Sequence, residues 1–301
     1  MPQGLSSLHT FEICFPGPLD IPASLAIFQR SGDDEIDRWD GTVLVRTARV
    51  EGAVVPFLGT VTGTIEAPAL AVTVAHPAHA TVVAQLVRTM FVTAPEALAQ
   101  LITTDSVIAQ LEARYRGVRP VLQTDPFTAL IRAISAQQVN LVWATTTRRR
   151  LAQIYGQQHL IGVHHVYSLE AMGLAAARVA DLRALQFTTR KAEYITALAT
   201  AIAEGSLDLE ALRTQPDAEV IDCLTRQRGI GRWTAEWFLA RTLGRPRVAA
   251  GDLGVRKAVA AAYLDGRFPS EAEVREVTAH WGEAAGVAQQ LLLHGLSAGM
   301  A

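Results

Sequence analysis

The chain has 301 residues, of which 50% are hydrophobic and 19% are charged. This length is about twice that of a typical single domain, so we expect two or three folding units. The apolar content excludes a disordered chain, and the lack of a run of about 18 apolar residues argues against a membrane span. The start of the chain also lacks the pattern of a signal peptide. Its two cysteines, Cys14 and Cys223, cannot build a disulfide framework or a four-thiolate cluster, so we expect a cytoplasmic protein.

The net charge of −2 is unevenly distributed. Residues 1–100 hold ten acidic residues and five arginines, which gives −5. Residues 226–257 hold eight basic residues against Glu236 and Asp252, which gives +6. Such a run is either a solvated face or a surface that binds an anionic partner, and the motifs within it distinguish the two.

The first third of the chain has the composition of β-structure. Segments rich in Val, Thr, Ile and Phe cover residues 10–15, 25–30, 42–50 and 54–75, with turn sequences between them. Polar and apolar residues alternate from Thr42 to Ala48, which predicts an antiparallel sheet with one solvated face. We therefore predict an α+β protein with an N-terminal sheet domain over residues 1–112.

Helical spacing replaces this pattern after Pro77. Apolar residues recur at intervals of three and four over residues 80–91 and 94–115. Asp125 is a candidate N-cap for a helix that starts at Pro126 and reaches Gly156, in one piece or two. Further helices are predicted over 168–177, 178–186, 189–204, 207–213, 216–227, 232–243, 253–263, 270–280 and 284–297. Beyond about residue 110 no strand is expected, so residues 113–301 should form a mostly helical core.

Two glycines lie between the helices predicted on either side of residues 228–231, in a hairpin that spans about 216–243. Gly229 and Gly231 allow a tight turn and leave backbone amides uncovered, and the next helix begins immediately with its positive end at the turn. This combination is typical of a backbone site that binds a phosphate, although an ordinary helical hairpin with a glycine turn has the same pattern.

A glycine-rich loop over residues 244–256 follows the hairpin and contains a single carboxylate. Asp252 stands at the start of the next predicted helix, with Arg256 and Lys257 after it. One interpretation is a plain N-cap aspartate, and the other is a functional carboxylate in basic surroundings.

The hairpin, the loop and the aspartate together resemble the helix-hairpin-helix DNA glycosylase superfamily. Residues 229–235 (GIGRWTA), 134–139 (ISAQQV) and 190–193 (RKAE) are similar to its type II 3-methyladenine branch. The resemblance implies a helical glycosylase core behind an N-terminal sheet domain, with double-stranded DNA carrying alkylated bases as the partner, acting at the nucleoid. It implies Asp252 as the catalytic residue, Trp233, Trp237 and Gln137 in the substrate pocket, and Gly229, Ile230, Gly231, Arg232, Thr234, Gln138 and Arg256 as DNA-binding residues.

The same resemblance makes the proposed enzyme monofunctional. Trp233 stands where glycosylase/lyases carry the lysine that forms a Schiff base. Two aromatic residues of the family pocket are replaced by Leu253 and Ala284, and Gln138 matches the residue that fills the gap left by the flipped base. A monovalent cation bound by the hairpin carbonyls is implied by resemblance, and no other cofactor is expected. One chain supplies the whole site, which favours a monomer.

A single carboxylate is enough chemistry for one class of lesion. Purines alkylated at N3 or N7 are cationic, so they leave without an acid, and one ionised aspartate can stabilise the sugar cation. Aromatic faces such as Trp233 and Trp237, four residues apart on one helix, attract cationic bases.

Two other functions remain open from the sequence. The chain could be a non-catalytic helix-hairpin-helix DNA-binding module, or a glycosylase for deaminated or oxidised bases. A metal site is not predicted, because the histidine pairs at 76 and 79 and at 164 and 165 lack further ligands nearby.

Overall fold

The computed structural model describes residues 8–299, in which seven strands and fourteen α-helices are found. The strands are β1 (His9–Cys14), β2 (Arg38–Trp39), β3 (Val43–Val50), β4 (Ala53–Val61), β5 (Ala69–Val74), β6 (Gln157–Ile161) and β7 (His164–Ser168). The helices of the first half are α1 (Ile21–Leu25), α2 (Ala80–Arg88), α3 (Pro95–Thr104), α4 (Ser106–Arg114), α5 (Pro126–Ala136) and α6 (Leu141–Tyr155). Those of the second half are α7 (Ala171–Ala175), α8 (Val179–Ala184), α9 (Thr189–Ala203), α10 (Asp217–Thr225), α11 (Arg232–Arg241), α12 (Leu253–Tyr263), α13 (Glu271–Val277) and α14 (Ala285–Ser297).

The first five strands form an antiparallel sheet in the order β1-β5-β4-β3-β2. Strands β3 and β4 are joined by Glu51 and Gly52, both with positive φ, which is the two-residue turn that matches strand twist. One face of the sheet buries Phe57 and Val72 against Val83 of α2. The predicted N-terminal sheet and mostly helical core are thus confirmed.

Residues 25–30 were expected to form a strand, and this prediction is wrong. They form the end of α1 and a 3₁₀ turn over Ala26–Phe28. The Asp20 carboxylate accepts a hydrogen bond from the Ala23 amide and starts the helix, which the apolar composition of the segment does not reveal. Leu25 and Phe28, three residues apart, both enter the sheet's core.

The expectation that no strand follows residue 110 is also wrong. Strands β6 and β7 form an antiparallel hairpin that turns at Gly162, whose φ is +57°. Ile161 and Val166 pack against Val45 of β3, so the hairpin is stabilised by the N-terminal sheet. Its sequence is polar, with two glutamines and three histidines, so the alternation of inward-facing apolar residues is too weak to predict a strand.

Other predicted helices differ in extent. The helical pattern over 94–115 is divided into α3 and α4 at Asp105, which accepts hydrogen bonds from the amides of Val107 and Ile108. The segment expected to be helical at 207–213 contains a 3₁₀ turn over Ala211–Thr214. Asp125 does cap α5, by accepting from the Thr128 amide, as its sequence position predicts.

A buried ionic cluster joins the two parts of the chain. Arg132 of α5 and Arg148 of α6 lie 2.6 and 2.9 Å from the Asp34 carboxylate, and Arg132 also contacts Asp37 at 2.8 Å. Burial raises the pKa of Asp34, but the two guanidinium groups outweigh it and hold that pKa below its usual value. The cluster fixes α5 and α6, and therefore the turn between them.

Within residues 8–299 no helix is long and apolar enough to cross a membrane.

Candidate active site

The turn between α10 and α11 leaves backbone amides open. Gly229 has a φ of +87°, and a Cβ atom there would overlap the ring of Tyr194, so this position requires glycine. Gly231 has a φ of −96° and would tolerate a Cβ, since no atom lies within 4 Å of that point. It is the N-cap of α11 and offers no side chain, so the first amides of α11 remain available to an anion.

The other predicted DNA-binding residues of the hairpin differ in their surroundings. Ile230 is buried in the core of the helical part, where it anchors the turn. Arg232 is exposed and donates to the Glu236 carboxylate at 3.0 Å. Thr234 is buried, and its hydroxyl has no hydrogen-bond partner among the described residues. Of these three residues, Arg232 is the one whose side chain reaches solvent.

Asp252 lies at the N-terminus of α12, and its two carboxylate oxygens have separate partners. Oδ1 accepts from the Val255 amide at 2.9 Å and caps the helix. Oδ2 accepts from the indole Nε1 of Trp233 at 3.1 Å and of Trp237 at 3.2 Å. Capping thus uses one oxygen, and the second is held by two neutral donors that leave the negative charge in place.

The turn between α5 and α6 lies beside the hairpin. Gln137 Nε2 donates to the carbonyl oxygen of Gly229 at 2.8 Å, so this predicted pocket residue is bound to the hairpin backbone. Gln138 is exposed and has a φ of +54°, a left-handed conformation that is unfavourable for a side chain of this size. The glutamine predicted to fill the DNA stack is therefore at the tip of this turn.

The carbonyl oxygens of the hairpin are the groups that would bind the monovalent cation implied by the resemblance. The Gly229 oxygen accepts from Gln137, and the Gln227 oxygen accepts from the Ile230 amide at 3.1 Å. Each carbonyl oxygen keeps a second lone pair, so a monovalent cation is compatible with the turn and remains a prediction. No three His, Cys, Asp or Glu side chains of residues 8–299 gather as metal ligands.

Three further predicted positions lie around α12. Arg256 donates through Nε and Nη2 to the Pro269 carbonyl at 2.9 and 2.7 Å, which directs it toward the loop before α13. Leu253 is 58% exposed beside Asp252, whereas Ala284 is fully buried in the core. Of the two positions where the family aromatics are missing, Leu253 alone is open to a ligand.

Sequence reasoning missed an exposed apolar segment next to Gln138. Leu141, Val142 and Trp143 open α6 and are 59%, 62% and 40% exposed. Consecutive helical residues point about 100° apart, so three apolar residues in a row cannot all face the core. This feature of the sequence could have identified the segment as an apolar surface beside the turn.

The family comparison covers the whole of this site. Residues 131–283 match the model of the HhH-GPD superfamily, described as base excision DNA repair protein. The matched range includes the α5–α6 turn, the hairpin and Asp252.

Curated relatives carry a consistent name. The chain is 35% identical over 146 residues to YfjP of Bacillus subtilis, provisionally named a DNA-3-methyladenine glycosylase. It is 26% identical over 186 residues to the DNA-3-methyladenine glycosylase of the same organism, and 33% identical over 139 residues to DNA-3-methyladenine glycosylase 2 of Escherichia coli. These matches cover 48%, 61% and 46% of this chain, and only 50%, 61% and 48% of the relatives' own lengths.

Solved structures share the fold. The 3-methyladenine DNA-glycosylase from Archaeoglobus fulgidus has a TM-score of 0.83 at 24% identity, covering 95% of this chain and 98% of that one. The 8-oxoguanine glycosylase/lyase of Clostridium acetobutylicum, in complex with DNA, has a TM-score of 0.73 at 18% identity, with 94% and 93% covered. At these identities the likeness concerns architecture, so the chemistry must be argued from the residues.

Proposed function

This chain belongs to the HhH-GPD superfamily of base excision DNA repair proteins, and from that premise we propose that it is a monofunctional DNA glycosylase. It would release alkylated purines, of the 3-methyladenine and 7-methylguanine type, from double-stranded DNA and leave an abasic site. The observation that carries this proposal is the Asp252 carboxylate, held by two indole donors beside an open anion-binding hairpin. The names of the similar proteins support the substrate class.

DNA binding is assigned to the hairpin and the neighbouring turn. The uncapped amides at the start of α11 would bind a phosphate, and Arg232, the first residue of that helix, would contribute a positive charge near them. Gln137 joins this hairpin to the turn that carries Gln138. A phosphate bound at the hairpin therefore lies next to the residue proposed to fill the stack when the target nucleotide is flipped out.

Base release follows from one ionised aspartate. As the bond from C1′ to the purine nitrogen breaks, its electron pair neutralises a base that was already cationic, so no acid is required. The sugar acquires positive charge, which the Asp252 carboxylate stabilises. Water then attacks C1′ and loses its proton to the carboxylate or to solvent. The N–H groups of Trp233 and Trp237 fix Oδ2 without neutralising it.

The absence of lyase chemistry is proposed from one position. Trp233 occupies the place, two residues after Gly231, where a lyase needs an amine, and Lys257 is exposed on α12. Incubation with alkylated duplex DNA should release free base and leave the strand intact. Borohydride should trap no covalent adduct, and a trapped adduct would show that the enzyme is bifunctional.

The two hairpin glycines offer a matched test of DNA binding. Gly231→Ala introduces a methyl group into open space beside the amides, so the fold should persist while affinity falls for every DNA sequence alike. Gly229→Ala creates a clash with Tyr194 and should destabilise the fold itself. Unchanged DNA affinity in a folded Gly231→Ala variant would exclude the hairpin as the phosphate site. Binding without release of any base would instead favour a non-catalytic DNA-binding module.

A further inference from the structure

Arg241, in the last turn of α11, is a buried cation that no carboxylate of residues 8–299 contacts. It is 6% exposed, and its Nη2 atom donates to Gln290 Oε1 at 2.6 Å. Its Nε and Nη1 atoms have no hydrogen-bond partner in the part of the chain that the structure describes. Burial lowers the pKa of this guanidinium to about 10. Such a charge is costly to bury, so its presence requires an explanation.

The other deeply buried arginines of residues 8–299 are arranged differently. Arg46, Arg119 and Arg148 are each no more than 7% exposed. Each has a carboxylate oxygen within 2.9 Å, supplied by Asp37, Glu112 and Asp34 respectively. Arg241 is thus set apart from the arginines that stabilise the fold by direct ion pairs.

The surroundings of Arg241 connect it to the proposed active site. Its guanidinium carbon lies 5.0 Å from the centre of the Trp237 ring, and Trp237 donates to Asp252. Asp252 is the carboxylate whose charge opposes the lowering of the Arg241 pKa. The buried cation therefore acts on the same indole and carboxylate that the proposed chemistry uses, from the end of α11 that lies away from the glycine turn.

We propose that Arg241 is a specificity-determining residue that shifts the site from cationic toward neutral damaged purines. The inference rests on the glycosylase function proposed above. When a neutral purine leaves, the electron pair of the broken bond makes it anionic until water protonates it, and a nearby cation stabilises this charge. A cationic alkylpurine leaves as a neutral molecule, so the charge of Arg241 does not stabilise the released base. The entry of that cationic base beside Arg241 is opposed by like-charge repulsion.

The expected size of this effect follows from the geometry. A base in van der Waals contact with Trp237 would lie within about 9 Å of the guanidinium carbon. Two unit charges at this separation, in the effective dielectric of a protein, change an equilibrium or a rate by about tenfold or more. Because cationic and neutral bases respond in opposite directions, their ratio of release rates is the sensitive quantity.

The test compares Arg241→Met, which removes the charge, with Arg241→Lys, which keeps it. Single-turnover release would be measured from two duplexes that differ only in the lesion, 7-methylguanine or hypoxanthine. We expect the ratio of 7-methylguanine to hypoxanthine release to rise about tenfold in the methionine variant and to stay near the wild-type value in the lysine variant. Both rates come from one preparation, so the ratio is independent of the folded fraction.

The outcomes separate this inference from the proposed function. Release of both bases with an unchanged ratio in Arg241→Met, or release of 7-methylguanine alone by the wild type, would overturn the role of Arg241 and leave the glycosylase intact. Release of neither base by the wild type would overturn the proposed function and this inference with it. If Arg241→Met does not fold, Arg241→Gln removes the charge while keeping a donor for Gln290, and the same ratio decides.

Discussion

Two aspartates of this protein start helices with closely similar hydrogen bonds, and they serve different purposes. Asp105 begins α4 and is 5% exposed. Its Oδ2 atom accepts from the Tyr263 hydroxyl at 2.7 Å, from His280 Nε2 at 2.8 Å and from Trp281 Nε1 at 3.4 Å. These donors lie more than 150 residues away in sequence, so the carboxylate joins the C-terminal helices to α3 and α4.

Asp252 also uses one oxygen as a helix cap and the other to accept from side chains, but its partners are close in sequence. One oxygen caps α12, and the other accepts from Trp233 and Trp237, which lie 19 and 15 residues before it on α11. Asp252 is half-buried, whereas Asp105 is sealed in the core. Hydrogen bonding alone therefore does not identify a functional carboxylate. What distinguishes Asp252 is its access to a ligand beside the glycine hairpin.

The largest expected effect separates the two aspartates by activity. Asp252→Asn keeps the helix cap, because asparagine caps as well as aspartate, but loses the negative charge. Base release should fall by about 100-fold or more, while DNA binding remains. Asp105→Asn is the matched control and should keep the rate per folded molecule. Comparable loss in both variants would mean that Asp252 acts through the fold.

The second expected effect is on stability, which should depend more on Asp105 than on Asp252. Asp105→Ala removes a helix cap and leaves buried donors unpaired, which should lower the free energy of unfolding by about 3 kcal/mol. Asp252→Ala removes a cap and exposes its donors to a more open site, so about 1 kcal/mol is expected. Urea unfolding of both variants measures the difference. Equal losses would contradict the assignment of Asp105 to the fold and Asp252 to function.

The sequence predicts the two parts of the protein and places Asp252 at the start of a helix, but it does not predict the cap at Asp105. The N-terminal sheet, the helical core and the hairpin follow from local patterns of two and of three to four residues. Asp252 was identified by its loop, whereas Asp105 stood inside a continuous apolar pattern that concealed the break between α3 and α4. The β6–β7 hairpin escaped prediction because its stability comes from Val45, far away in the chain.

Tertiary contacts explain the rest of what the sequence could not predict. The spacing of Trp233 and Trp237 places them on one side of α11, but their donation to Asp252 depends on how α12 approaches. The bond from Gln137 to Gly229 joins residues 92 positions apart. Likewise, nothing in the sequence distinguishes Arg241, which forms no ion pair within residues 8–299, from the buried arginines that do.

A third, smaller effect concerns the indole donors. Trp233→Phe and Trp237→Phe keep an aromatic ring but remove one hydrogen bond to Oδ2, which is worth about 1 kcal/mol. Each should slow base release about fivefold, because the carboxylate is less firmly oriented. Trp281→Phe removes the corresponding long bond to Asp105 and is the control, with an effect on thermal stability alone. Slower base release by Trp281→Phe would show that the Asp105 cluster also affects the reaction.

The smallest expected effect is the pH dependence of the Asp105 cluster. Burial raises the pKa of Asp105, but the hydrogen bonds from Tyr263, Ile108 and His280 outweigh it and hold that pKa below its ordinary value of 3.8. A carboxyl whose pKa is lower in the folded state stabilises the protein above the unfolded value and loses that contribution as pH falls below it. Other carboxylates, such as Asp34, shift in the same direction, so the wild-type slope alone does not isolate Asp105. The free energy of unfolding of wild type minus that of Asp105→Asn should therefore be constant from pH 6 to about 4 and shrink below that. Urea titrations across this range measure it, and a difference that stays constant to the lowest pH would show that Asp105 is not stabilised as a carboxylate.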